Sequence, residues 1–133
     1  MKLNYFVFCD AAARTTQGKA VLHGVFDEAF VPQELSEEHP LVFPAMTAAF
    51  EVKDVNQKHS TVTLSITHVG TGKVILTDVL QNPKPEEETK VIGGMRQIWM
   101  LNFPALGKYK AVLAIDDVPF AETTLTISRM PTN

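Results

Sequence analysis

The sequence is poor in the residues that carry chemistry. It holds one cysteine, one tryptophan, two tyrosines and four histidines in 133 residues. A single cysteine, Cys9, makes no internal disulfide, so noncovalent packing must hold the fold. A chain of this length manages that, because it buries roughly two-thirds of its unfolded surface in one domain. No apolar run approaches the ~20 residues of a membrane helix. Positive charge is also scarce: 12 lysines and arginines stand against 15 aspartates and glutamates, for a net charge of -3. A general nucleic-acid binder is usually basic, so neither nucleic acid nor membrane is expected as a partner.

Catalytic and metal motifs are missing too. There is no G-x-S-x-G elbow, and Gly93-Gly94 lacks the further glycines, lysine and Ser/Thr of a phosphate loop. A bulge or kink in a strand is the expectation there. His23, His39, His59 and His68 show no i, i+2 or i, i+4 spacing that would grip one metal from a strand or helix. His23 and Asp27 flank a bend, and a site including His39 is conceivable. His68 shares parity with core-facing residues. These four, His23, Asp27, His39 and His68, are the weak site candidates; no catalytic, metal or cofactor residue is assigned, and no cofactor is expected. The acidic groups Asp27, Glu28, Glu34, Glu37, Glu38 and Glu86 to Glu88 lack the D-x-D-x-D spacing of a calcium loop and read as solvated loops.

What is present is strand, turn, strand. The opening MKLNYFVFCDAAA poses a choice between an export signal and a first strand. Asn4 interrupts the apolar stretch and Asp10 ends it, so Leu3–Cys9 is predicted as a retained strand. Cys9 is then a free, buried thiol in a cytoplasmic protein. Lys19–Val31 is predicted as two short strands split at Gly24. Residues 32–41 form a proline-bounded connection with one helical turn at Ser36–His39. Ala45–Lys53 alternates Met46, Ala48, Phe50 and Val52 against Thr47, Ala49, Glu51 and Lys53, a strand with one wet face.

The clearest strand is Thr61–Val69, with Val62, Leu64 and Ile66 on one side and Thr61, Thr63, Ser65 and Thr67 on the other. Gly70-Thr71-Gly72-Lys73 turns the chain into Val74–Leu80. A solvated loop over residues 81–90 follows, then strands at Val91–Phe103, Tyr109–Ile115 and Phe120–Ser128, the last pair joined at Asp116-Asp117. In Val91–Phe103 both rows are apolar, so the strand is expected to be covered on both faces, with Trp99 packed in a core row beside Met95, Gln97, Leu101 and Phe103. Eight or nine short strands with turn signals every 8–12 residues predict an all-β, mainly antiparallel sandwich with little helix. It fills residues 1–130, with 131–133 as a frayed tail.

Gly107-Lys108-Tyr109 opens a strand with a glycine and then a tyrosine. This resembles the tyrosine corner of immunoglobulin-like and fibronectin-like sandwiches, in which the tyrosine hydroxyl bonds a backbone group just upstream. Tyr109 and Gly107 are therefore structural candidates, with the backbone partner expected in Asn102–Leu106. The whole chain also resembles a bacterial family of small all-β proteins described as a domain of unknown function. The resemblance rests on Gly18-Lys19, Leu22, Gly24-Val25-Phe26-Asp27, Pro44, Gly107-Lys108-Tyr109 and Asp116-Asp117. It brings no catalytic residues. Two functions stay open: a non-catalytic protein-interaction module, with a possible homo-oligomer, or a small ligand-binding protein or enzyme with a site assembled from loops.

Overall fold

Alternating side chains become nine strands in the computed structural model, which describes residues 2–53, 61–81 and 92–131. They are β1 (Lys2–Arg14), β2 (Ala20–Phe26), β3 (Glu28–Val31), β4 (Leu41–Lys53), β5 (Val62–His68), β6 (Val74–Gln81), β7 (Ile92–Phe103), β8 (Gly107–Ile115) and β9 (Val118–Arg129). No helix occurs among the described residues. Residues 82–90 of the expected loop, Glu86 to Glu88 among them, His59 and the end of the tail lie outside the described residues, while Gln81 ends β6.

Two sheets form, in the orders β2-β1-β4-β7 and β3-β9-β8-β5-β6. Every pairing is antiparallel except β3 with β9. Phe6, Phe8, Met46, Phe50, Ile98 and Phe103 of the first sheet close on Leu64, Ile66, Tyr109, Leu113, Leu125 and Ile127 of the second. Each set comes from alternate positions within its strands, as two facing pleated sheets require, except along β7. A file of rings crosses this core. Phe26 to Phe43, Phe43 to Phe103, Phe103 to Tyr109 and Tyr109 to His68 have centroids 5.7, 5.4, 4.9 and 4.8 Å apart.

The turns follow their residues. Asp116 and Asp117 both take positive φ, 51° and 66°, as a two-residue hairpin of matching twist needs. The Asp116 carboxylate accepts from the Thr61 N–H at 2.9 Å, tying this hairpin to the start of β5. In the β5–β6 turn, Gly72 takes φ +73° and its N–H donates to the His68 carbonyl.

Five details depart from the sequence reading. The Lys19–Val31 segment divides at Asp27, not Gly24, because there the chain leaves the first sheet (β2) for the second (β3). Gly24, at φ +66°, is not a bulge either: the register of Cys9 with Val25 and Ala11 with His23 is unshifted across it, Gly24 stands opposite Asp10, and a Cβ on Gly24 would fall on the Asp10 carboxylate. Ser36–His39 is not a helical turn; the Ser36 Oγ accepts from the His39 N–H and holds a bend.

Gly93-Gly94 is neither bulge nor kink, since the ladder Phe50↔Gly94, Glu51↔Gly93 runs unshifted. The glycines make room: a Cβ on Gly94 would come 2.9 Å from the Phe50 ring, and one on Gly93 would come 3.3 Å from the Arg14 guanidinium. Met100 takes φ +54°, which breaks the alternation of β7. Ile98, Leu101 and Phe103 face the core, while Trp99 and Met100 stand side by side in solvent, 66% and 65% exposed. Trp99 therefore does not sit in the core row.

The fifth departure is the dry outer face of β4. Thr47 and Ala49 point away from the core yet are 6% and 0% exposed, as is their neighbour Cys9 at 0%. The course of β1 explains the cover. Tyr5 and Arg14 would be about 30 Å apart on a straight strand at roughly 3.3 Å per residue. Arg14 nonetheless lies against Gly93, which is two strands across from Tyr5 through Glu51. The β1–β2 hairpin must turn back over its own sheet, and the positive φ of Gly24 opposite Asp10, just beyond the last β1–β4 pair Cys9↔Thr47, is where it bends.

Candidate functional site

The four sequence candidates do not converge. His23 lies exposed on β2 opposite Ala11, Asp27 in the exposed crossing between sheets, and His39 in the exposed bend after β3. Asp27 lines an open cleft of about 300 Å³ with Val7, Val25, Phe26 and Thr123, none of them a proton-transfer partner. No three His, Cys, Asp or Glu side chains gather into a metal site among the described residues. The acidic residues after β2 are engaged singly: Glu28 accepts from Ser128, Glu34 pairs with Arg129 at 3.5 Å, and Glu37 pairs with Lys73.

His68 is the exception, because it is 7% exposed and fully engaged. The Thr71 N–H donates to Nδ1 at 3.2 Å, so Nδ1 carries a lone pair. Nε2 then holds the proton and donates to the Leu106 carbonyl at 2.9 Å. The Thr71 hydroxyl lies 2.8 Å from Nδ1. These bonds fix the neutral ring and its tautomer, and its face packs on Tyr109. Both ring nitrogens are used up in joining the β5–β6 turn to the loop before β8. His68 is thus a structural rivet, with no free nitrogen for substrate or metal.

Beside it, the Tyr109 hydroxyl donates to the Ala105 carbonyl at 2.7 Å and accepts from the Ala105 N–H at 3.1 Å. Gly107 between them takes φ +114°, and a Cβ there would lie 3.4 Å from His68 Nε2. A second cleft, of about 220 Å³, opens nearby between Val74, Ile75, Asn102 and Pro104, with the Glu37–Lys73 pair on its rim.

The outer face of the first sheet carries Trp99 and Met100, with Val42 also exposed on β4. Sequence reasoning missed this pair. Neither glycine nor asparagine stands at position 100, so nothing signals the positive φ that turns Met100 outward.

Among the described residues Cys9, Tyr5 and Tyr109 are shifted, all the same way. Burial pushes the Cys9 thiol above its ordinary value, helped by the Asp10 carboxylate. Burial also raises the Tyr5 hydroxyl, with Glu51 adding to the effect and the nearby Arg14 opposing it. Tyr109 is raised by burial, against the opposing bond to Ala105. Each loses its proton from the unfolded chain at lower pH than from the fold. Stability from these groups is therefore complete below about pH 8.5, the ordinary thiol value, and declines as pH rises through the thiol and then the phenol range near 10. Unfolding midpoints measured from pH 7 to 11 should fall along this course, and Cys9→Ala should remove the earliest part of the decline. A flat profile, or one unaltered by that substitution, would contradict the assignment.

Two facing sheets, a filled core and polar groups spent on holding loops define a β-sandwich. The chain belongs to a family of unknown function (DUF6941), whose model matches residues 4–128. No curated protein matches the chain. The described residues contain no helix long and apolar enough to cross a membrane.

Proposed function

We propose that this protein is a non-catalytic interaction module of the cytoplasm, an immunoglobulin-like sandwich that offers a protein partner the outer face of its first sheet. The exposed pair Trp99 and Met100 carries this reading. Aromatic residues and methionine are enriched where proteins meet, and a tryptophan is a frequent anchor. Here a strained φ at Met100 turns two large apolar side chains outward where one would suffice to continue the strand. The hydroxyl bond of Tyr109 to Ala105, just after Phe103 and before β8, supports the immunoglobulin-like part, since it has the form of a tyrosine corner.

The test is affinity capture in the native organism, comparing the wild-type chain with a Trp99→Ser, Met100→Ser variant. Both side chains are exposed, so the variant should fold with a stability change within about 0.5 kcal/mol. A partner retained by the wild type and reduced at least tenfold by the variant is the expected result. A small molecule that travels equally with both forms would instead favour the ligand-binding alternative, for which the cleft beside Asp27 is large enough at the lower limit.

A further inference from the structure

We propose that the outer half of the β1–β2 hairpin, Ala11–His23, is a strap hinged at Asp10 and Gly24 that lifts from the outer face of the first sheet while the sandwich stays folded. The pairing register carries the argument. The ladder between β1 and β4 ends at Cys9↔Thr47. Beyond it, Ala11, Ala12, Ala13 and Arg14 pair only with His23, Leu22, Val21 and Ala20. Lifting the strap therefore breaks no strand ladder with the rest of the sheet. Only side-chain contact is lost, and Ala12, Ala20 and Leu22 are the half-buried apolar residues of the strap, on the same face as Arg14. That is little apolar area to hold a segment down.

The contact is also imperfect. The Tyr5 hydroxyl lies buried beneath with no hydrogen-bond partner of good geometry, although the Arg14 guanidinium stands close enough to act on it. An unsatisfied buried hydroxyl regains water when the cover lifts, which favours opening. The hinge itself is suited to bending. Gly24 already occupies a positive φ, and the absence of a Cβ leaves room for the Asp10 carboxylate. Opening uncovers Cys9, Thr47 and Ala49, which face outward and are otherwise dry.

Cys9 is the only thiol of the chain and stands next to the hinge, so it reports the motion. Labelling of the full chain with an aromatic disulfide reagent is followed below the unfolding transition, while Trp99 fluorescence follows global unfolding. Labelling is expected to be at least tenfold faster than global unfolding allows, with a weak dependence on denaturant. Arg14→Ala, at an exposed residue, should speed it tenfold or more without moving the Trp99 midpoint. Gly24→Ala, which crowds Asp10 at the hinge, should act in the same direction; if it fails to fold, Arg14→Ala still decides. The proposal is overturned if Cys9 labels with the full denaturant dependence of global unfolding, or if Arg14→Ala changes labelling only in proportion to the midpoint.

Discussion

Replacing His68 by alanine should destabilise the protein by about 2–4 kcal/mol. Three losses add up. The half-buried Leu106 carbonyl and the N–H of the exposed Thr71 lose their ring partners; the carbonyl costs roughly 1–3 kcal/mol where water cannot reach it, the N–H less because water can. The ring's contact with Tyr109 disappears and leaves a void beside Gly107. At this chain length such a loss lowers the thermal midpoint by on the order of ten degrees. His68→Phe separates the contributions, since it keeps a ring against Tyr109 but neither hydrogen bond; an intermediate midpoint is expected. Circular dichroism melts of the three proteins provide the check. A change under about 0.5 kcal/mol for His68→Ala, the range of ordinary surface positions, would mean that the ring is not the rivet its contacts describe.

The same residue shows how far the sequence could be read. His68 shares parity with Val62, Leu64 and Ile66, and β5 is the strand whose buried and half-buried residues alternate without interruption. Period-2 alternation fixes which side is dry, so a histidine in the dry row must be paired or unpaired inside the protein. Its partners were not readable. Leu106 lies 38 residues away, and only the closing of β5 against β8 brings it near. The turn at Asp116-Asp117 and the strained Gly107 were legible for a local reason, because the residue types themselves state the backbone they need.

Where alternation failed, the cause was a backbone event without a residue signature. Met100 reverses the facing of β7 and exposes Trp99. The strap over β4 dries Thr47 and Ala49, which a two-layer reading leaves wet. Gly93-Gly94 misled in the opposite sense: two glycines in a strand suggest bent backbone, but here they yield space to the Phe50 ring of the adjoining strand and to the Arg14 side chain. Long-range packing, not local propensity, decided each case. The site candidates fared likewise. His23, Asp27 and His39 are separate in the fold because β2 and β3 belong to different sheets, a crossing that the run of sequence from Lys19 to Val31 does not announce.

Tyr109→Phe should cost about 1–2 kcal/mol while leaving the core filled. The ring is 0% exposed and wedged edge-on to Phe103, so removal of the hydroxyl alone leaves its packing unchanged. What goes is the pair of hydrogen bonds to Ala105, both the donation to its carbonyl and the acceptance from its N–H. Ala105 is half-buried, so water repairs part of the loss and the cost stays below that of two dry orphans. Gly107→Val should cost at least as much by a different route. Its φ of +114° is closed to a β-branched side chain, and the new Cβ starts 3.4 Å from His68 Nε2, with two further methyls beyond it. Because the ring of His68 touches both positions, the effects should not be independent. A double-mutant cycle of Tyr109→Phe with His68→Ala should show a coupling of about 0.5 kcal/mol or more, as expected for groups in one packed network. Strict additivity, or an unchanged melting midpoint for Tyr109→Phe, would mean that the loop before β8 is held by its own turn geometry and that the hydroxyl is incidental.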